Sequence, residues 1–182
     1  AFSTADTIVA VATPPGRGGL GVVRLSGPDA TAITQRLTHR PARFEARHAT
    51  LAVVHSNTSA LVDQTTADQS VDQVVVTWFA APHSYTGEDV VEISGHGSPW
   101  LLQRIVDLAC LEGARLAQPG EFTLRAYLNE RLDLVQAEAV ADLIHAVTPL
   151  QARVAMDQLE GTLTTAVREI EEQLFSLAAK LE

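Results

Sequence analysis

Pro82-His83-Ser84-Tyr85-Thr86-Gly87-Glu88-Asp89-Val90-Val91-Glu92-Ile93-Ser94-Gly95-His96-Gly97 is the stretch around which the rest of the chain is read. Thr86-Gly87-Glu88-Asp89 has the composition of a turn and leads into the apolar step Val90-Val91-Glu92-Ile93. In an extended chain successive side chains alternate, so Val91 and Ile93 share one face while Val90 and Glu92 share the other. The glycines around His96 are expected to end the strand in a Gly-His-Gly turn. Ser98 and Pro99 then supply the N-cap and first residue of a helix. A carboxylate among β-formers just before such a turn is well placed to read a ligand. The plainer reading, which the pattern by itself favours, sets Glu92 on the wet face of a half-buried strand.

Upstream, Thr7-Ile8-Val9-Ala10-Val11-Ala12 is a β-rich run stopped by Thr13-Pro14-Pro15. Gly16-Arg17-Gly18-Gly19-Leu20-Gly21 formally matches the dinucleotide fingerprint G-x-G-x-x-G, which needs a helix after it to hold the pyrophosphate. The next residues, Val22-Val23-Arg24-Leu25, have a strand pattern, and Ser26-Gly27-Pro28 ends it. The phosphate-loop spacing of Gly16 and Gly21 fails as well, because Val22-Val23 stand where Lys-Ser/Thr is required. Two strands joined by a glycine loop is the better reading, and a Rossmann-type nucleotide enzyme would need helix after Gly21. Pro28 suits a helix start, with Ala30, Ile33 and Leu37 on one face. His39–His48, rich in arginine and carrying Pro41, reads as a surface connection. Ala49–His55 and Val71–Phe79 read as strands, joined by a polar loop in which Ala60-Leu61-Val62 has the composition of a further short strand.

Downstream, Leu102, Ile105, Val106 and Ala109 form the buried stripe of the helix opened by Pro99, Gly113 ends it, and Ala114-Arg115-Leu116-Ala117 is a closing strand. The irregular alternation up to this point makes an α+β region. From Pro119 the pattern is all helix. Phe122–Leu128 is a short helix, and Asp133 with Gln136 forms a capping-box pattern for a helix to about Val147. Thr148, Pro149 and Gln151 repeat the device for a long last helix. Leu159, Leu163, Ala166, Ile170, Leu174, Leu177 and Leu181 recur along it at steps of four and three, a seam that wants a partner helix. The short helices before it cannot cover so long a seam, so this region reads as part of a bundle.

The chain has 182 residues, enough for one large domain or two small ones with a proper core. Thirteen basic against 22 acidic residues give a net charge of −9, and Lys180 is the only lysine, which argues against a broad nucleic-acid surface. Residues 1–118 carry net −3 and 119–182 net −6, so cations able to meet an anionic ligand concentrate in the first region. A single cysteine, Cys110, excludes a disulfide framework within the chain and a cysteine-rich zinc site. The histidines at 39, 48, 55, 83, 96 and 145 show no metal-binding spacing, so His96 is expected to hydrogen-bond its own loop. No G-x-S-x-G anchors a hydrolase reading, and Arg24 and Arg125 read as surface or ion-pair arginines. No apolar run reaches membrane-span length and Ala1–Ala12 lacks the basic start of a signal peptide, so the expectation is a soluble cytoplasmic protein without membrane contact.

Three stretches together resemble one family. They are Asp6-Thr7-Ile8-Val9-Ala10 through Thr13-Pro14-Pro15-Gly16-Arg17-Gly18-Gly19 to Arg24-Leu25-Ser26-Gly27; Ser84–Ile93 with Gly95-His96-Gly97; and Pro119–Asn129 with Leu132-Asp133-Leu134 and Gln136-Ala137-Glu138-Ala139. In this order they are similar to the N-terminal part of the tRNA modification GTPase MnmE (TrmE) family, over nearly the whole chain and least at Arg40–Asp72. The resemblance implies a folate-binding and dimerisation domain over residues 1–118, with a fold like that of folate-dependent aminomethyl transferases. Residues 119–182 would be the first part of a helical domain into which a GTPase domain is inserted. The remaining helices would supply the partner for the Leu159–Leu181 seam.

By the same resemblance the parent is a homodimer. With an FAD-dependent partner protein it forms a 5-carboxymethylaminomethyl-type group on the wobble uridine of tRNA. A tetrahydrofolate derivative, 5-formyl- or 5,10-methylene-tetrahydrofolate, supplies the one-carbon unit. GTP, potassium and magnesium belong to the GTPase domain, whose G-x-x-x-x-G-K-[ST] loop does not occur in this sequence. The family's folate contacts fall on Arg24, Glu92 and Arg131. The family commonly has lysine at the last of these, and arginine keeps the charge while changing its shape from a point to a fork. Ser98, where a third glycine is usual, and Glu130, often Gly or Asp, are further departures. The alternative from another class is a dimerisation scaffold that binds no ligand.

Overall fold

The computed structural model describes residues 5–56 and 69–180. Its strands are β1 (Ile8–Val11), β2 (Gly18–Ser26), β3 (Ala49–Ser56), β4 (Gln69–Phe79), β5 (Val90–Gly97) and β6 (Arg115–Leu116). Its helices are α1 (Ala30–Leu37), α2 (Pro99–Leu111), α3 (Glu121–Leu128), α4 (Leu134–His145), α5 (Pro149–Leu159) and α6 (Thr162–Ala178). The chain divides into two compact units, Ala1–Phe122 and Thr123–Glu182. The expected short strand at Ala60-Leu61-Val62 and the last seam residue, Leu181, lie outside the described residues.

In the first unit the strands form one sheet in the order β3-β4-β5-β2-β1-β6, antiparallel throughout except for the parallel pair β1–β6. β1 and β2 pair as the glycine-loop reading expects, with Val9 opposite Leu25 and Val11 opposite Val23. One sheet face is the core. Val9, Val23, Leu25, Val76, Val91 and Ile93 point there and pack with Ile33 and Leu37 of α1 and with Leu102, Ile105, Val106 and Ala109 of α2. All of these are buried, at 5% exposure or less. The two-residue period of the strands thus meets the helical stripes read from the sequence.

The central strand departs from expectation at its end. Gly95-His96-Gly97 does not turn; all three residues belong to β5. The glycines are there for space. A Cβ on Gly95 would lie 2.5 Å from Asp72 Oδ2 and one on Gly97 2.6 Å from the Gly18 carbonyl oxygen. His96 correspondingly bonds a neighbouring strand rather than its own loop. Its Nδ1 is 2.7 Å from Asp72 Oδ1, and its backbone N–H donates to Asp72 Oδ2 at 2.9 Å. Ser98 stands at the N-cap of α2 as expected, but its side chain makes no capping hydrogen bond. Among the described residues no three His, Cys, Asp or Glu side chains gather to hold a metal, and no helix is long and apolar enough to cross a membrane.

The second unit shows how closely caps can be read. Asp133 and Gln136 form a complete capping box at α4, and Thr148 and Gln151 another at α5. The long last helix, however, is two helices. α5 ends at Leu159, and Gly161 takes a left-handed conformation (φ 82°) before α6 begins. That φ suits glycine and interrupts a helix, so Leu159 lies on a different helix from the rest of the seam. Leu163, Ile170, Leu174 and Leu177 of α6 are exposed. Arg125, read as a surface or ion-pair residue, is fully buried.

Asp133 also accepts from Thr164 Oγ1 at 2.6 Å. Burial works against ionisation of Asp133, but the hydrogen bonds from Thr164 and from the backbone N–H groups of Gln136 and Val135, with Arg168 nearby, hold its carboxyl below the usual range. A carboxyl lowered on folding stabilises fully above its unfolded value of about 3.9 and loses that contribution as pH falls through the lower folded value. Asp133→Ala is therefore expected to cost about 1 kcal/mol at neutral pH. The gap from wild type should close in acid below that range, as read by helical circular dichroism during thermal melts. An equal gap at both pH values would contradict the charged cap.

Candidate functional site

β2 and β5 bring Arg24 and Glu92 directly opposite each other. Thr77 follows next to Glu92 on β4, Ala49 next to Thr77 on β3, and Ala10 next to Arg24 on β1. This row Ala49–Thr77–Glu92–Arg24–Ala10 crosses the sheet on the face opposite the core, because directly paired residues point the same way. Small side chains at the flanks leave room beside the charged pair. The neighbouring row on that face is Leu51–Val75–Ser94–Val22, in which Leu51 and Val75 are exposed.

Arg24 donates to a single oxygen of Glu92, from Nε at 3.0 Å and from Nη2 at 2.7 Å. Both side chains are 27% exposed, so the pair is neither buried in the core nor loose in solvent. Among the described residues, Glu92 Oε2 accepts no hydrogen bond and Arg24 Nη1 donates none. Two rings lie against the guanidinium. Its Cζ lies 5.4 Å from the centre of the Tyr85 ring and 5.7 Å from that of Phe122, within the range of a cation–π contact.

Tyr85 is held there by the loop between β4 and β5. Ser26 Oγ, at the end of β2, donates to Glu88 Oε2 at 2.6 Å and lies 2.7 Å from Thr86 Oγ1, which accepts the Glu88 N–H at 3.3 Å. With Ser26 giving its proton to Glu88, Thr86 donates to Ser26 and the ring of bonds closes. Ser84 Oγ bonds the Glu88 carbonyl, and Asp89 accepts from Trp78 Nε1 at 3.3 Å and from the Ala81 N–H at 2.9 Å. The polar letters of Ser84–Asp89 thus tie the loop to the sheet, and its tyrosine faces Arg24.

Of the three residues singled out from sequence, the structure brings Arg24 and Glu92 into contact. Arg131 belongs to the second unit, where it follows α3 with its side chain exposed and its N–H bonded to the Ala126 carbonyl at 2.8 Å. Sequence reasoning missed Tyr85 and Phe122. Aromatic residues make up only 5% of the chain, so a tyrosine in an otherwise polar turn was the available signal. The arrangement offers a ligand one open carboxylate oxygen, one open guanidinium N–H group and two ring faces, which suits a flat heterocycle with adjacent N–H donors.

Comparison with known proteins identifies the family to which the chain belongs. Residues 7–131 match the family model described as GTP-binding protein TrmE N-terminus, and residues 134–182 match the MnmE helical domain. The tRNA modification GTPase MnmE of Koribacter versatilis (strain Ellin345) is 52% identical over 180 residues, covering 97% of this chain and 38% of that protein. The MnmE of Legionella pneumophila (strain Corby) is 45% identical over 177 residues, and that of Francisella tularensis subsp. novicida (strain U112) 44% over 179. These cover 97% and 98% of this chain, and 37% of each relative. The chain thus spans well under half the length of these relatives, and it belongs to the tRNA modification GTPase MnmE (TrmE) family, whose N-terminal part it matches.

Proposed function

We propose that the first unit is the tetrahydrofolate-binding and homodimerisation part of a tRNA modification GTPase, with the fold of the folate-dependent aminomethyl transferases. The observation that carries the reading is the Arg24–Glu92 pair, about a quarter exposed, with one carboxylate oxygen open and the rings of Tyr85 and Phe122 against the guanidinium. A reduced pterin places an N–H and an amino group side by side. An ionised carboxylate has about four acceptor positions, of which Arg24 occupies two, so Glu92 retains capacity for both pterin donors. Arg24 Nη1 can meet the ring carbonyl or the anionic glutamate tail. Arg131 enters by resemblance alone, as a cation for that tail. The bound folate, as a 5-formyl or 5,10-methylene derivative, supplies a one-carbon unit; this chain's residues bind and orient it.

In the whole protein the module would serve formation of the 5-carboxymethylaminomethyl-type group on the wobble uridine of tRNA, together with an FAD-dependent partner protein. GTP, potassium and magnesium would be bound in the GTPase domain, and the helices of the second unit would begin the helical domain. The test is calorimetric titration of the 182-residue protein with 5-formyltetrahydrofolate. Saturable binding supports the reading, and none at millimolar ligand refutes it. The internal Arg24–Glu92 ion pair also favours a second reading, a dimerisation scaffold without ligand, because the carboxylate already has a partner. That reading expects the null result.

The exposed Leu51 and Val75, beside the site row on the open sheet face, support pairing with a second copy. A two-fold interface is made of the same patch on both subunits, so equivalent strands would face each other. Light scattering is expected to give the dimer mass at micromolar concentration. Leu51→Glu, which puts a charge on that face, should shift it to the monomer mass. A monomeric wild type would remove the dimer proposal.

A further inference from the structure

We infer that Glu121 is a positioning residue for the Arg24 site, acting through the ring of Phe122; the inference rests on the folate reading for its ligand but not for its geometry. Glu121 is almost completely buried, at 1% exposure. A buried carboxylate is costly unless its oxygens are matched by donors. Here Arg115 donates from Nη2 to Oε1 at 2.5 Å and from Nη1 to Oε2 at 3.0 Å, and the backbone N–H of Gln118 donates to Oε2 at 2.7 Å. The Glu121 N–H returns to the Gln118 carbonyl at 3.0 Å, so the side chain and backbone of one residue close the turn from Gln118 to Glu121. Arg115 itself is fixed twice. It lies on β6, paired with β1, and its Nε donates to Asp6 Oδ2 at 2.6 Å. Asp6 immediately precedes Thr7 and β1, so the ion cluster fastens the turn to the sheet edge.

The next residue is Phe122. Consecutive Cα atoms are about 3.8 Å apart, so fixing Glu121 leaves Phe122 little freedom beyond its side-chain rotation. Its ring centre lies 5.7 Å from Arg24 Cζ, as that of Tyr85 lies 5.4 Å away. Arg24 therefore contacts one ring held by the Ser26–Thr86–Glu88 bonds and another held by the Arg115–Glu121–Gln118 bonds. A glutamate serving only to stabilise the fold has no reason to be coupled to Arg24, and that distinguishes the two roles.

The experiment compares Glu121→Gln, Asp6→Asn, Phe122→Leu and the double variant Glu121→Gln/Phe122→Leu in the 182-residue chain. Asp6→Asn weakens the same ion cluster but leaves the Glu121–Gln118 turn intact, so it serves as the stability control. The first readout needs no ligand. The Arg24 Nε–H resonance, protected by its bond to Glu92, senses the ring current of Phe122. Phe122→Leu should move it, Glu121→Gln should move it comparably, and Asp6→Asn should leave it in place. The second is titration with 5-formyltetrahydrofolate. Glu121→Gln should weaken binding about five- to ten-fold, the worth of one aromatic contact, and Asp6→Asn less than about two-fold. The double variant should bind no more weakly than the weaker single one, because both remove the same contact. An unmoved Arg24 resonance in Glu121→Gln, or losses that multiply in the double variant, overturns the inference. If wild type does not bind the folate, the ligand reading falls, while the resonance still decides the role of Glu121.

Discussion

Replacing Glu92 with alanine is expected to weaken binding of 5-formyltetrahydrofolate roughly thirty- to a thousand-fold, about 2–4 kcal/mol, while leaving the fold in place. The size of the effect comes from what the substitution leaves behind. The pterin donors, having given up water to lie against the rings of Tyr85 and Phe122, would find no acceptor, and an unmet donor in such a place costs more than a hydrogen bond returns. The effect on stability is expected to be small. The Arg24–Glu92 pair is about a quarter exposed, and exposed ion pairs contribute at most about 1 kcal/mol. Affinity and stability therefore separate, which is what marks a ligand contact rather than a structural brace. Glu92→Gln keeps the shape but loses the charge and one acceptor, and should fall between wild type and alanine. The measurements are calorimetric titration for affinity and circular dichroism with thermal melting for the fold. Undiminished binding by Glu92→Ala would remove Glu92 from the site.

Much of this was legible before the structure because it rests on short-range rules. Alternation placed Val91 and Ile93 in the core and turned Glu92 away from it. The strand pattern after Gly21 correctly overruled the glycine fingerprint, since β2 continues to Ser26. The capping boxes at Asp133 and Thr148 formed as spelled. What escaped was set by contacts distant in sequence. Gly95 and Gly97 look like a strand end, yet they are glycine because Asp72 and the Gly18 carbonyl crowd them from neighbouring strands. Nothing within Gly95-His96-Gly97 announces an aspartate 24 residues earlier. Gly161 was hidden differently: the leucine period runs through it unbroken, and a hydrophobic pattern does not register a left-handed residue. In the site, the pairing of Arg24 with Glu92 depends on the register of β2 against β5, and register is a tertiary property. The rings over Arg24 come from two segments 37 residues apart, beyond any spacing rule.

Gly27→Ala is expected to destabilise the first unit by about 3–5 kcal/mol, a large share of the roughly 5–15 kcal/mol that holds a domain together. Two independent costs meet at this residue. Its φ is 134°, a backbone conformation that L side chains rarely adopt and that costs about 1–3 kcal/mol to impose on them. A Cβ there would also lie 2.7 Å from the Asp6 carbonyl oxygen, 2.7 Å from Thr7 Cα and 2.9 Å from Thr7 Oγ1. Two of these atoms are backbone and Thr7 is buried, so the neighbours cannot swing aside, and overpacking of this kind costs about 1–3 kcal/mol more. The contacts at stake are structural. The Gly27 N–H donates to the Asp89 carbonyl at 3.0 Å, and Thr7 Oγ1 accepts the Asp29 N–H at 2.9 Å at the start of α1. Pushing Gly27 away from Thr7 would loosen the start of β1, the entry to α1 and the loop that carries Tyr85. Gly16 provides the control, because it has the same φ of 134° with nothing within 4 Å of an added Cβ. Gly16→Ala should show the backbone cost alone, reduced by whatever its loop can relax, and the difference between the two variants measures the packing cost. Urea unfolding of wild type and both variants, followed by circular dichroism, reads the two costs. Equal losses for Gly16→Ala and Gly27→Ala would show that φ alone makes Gly27 a glycine and that the close approach of β1 adds nothing.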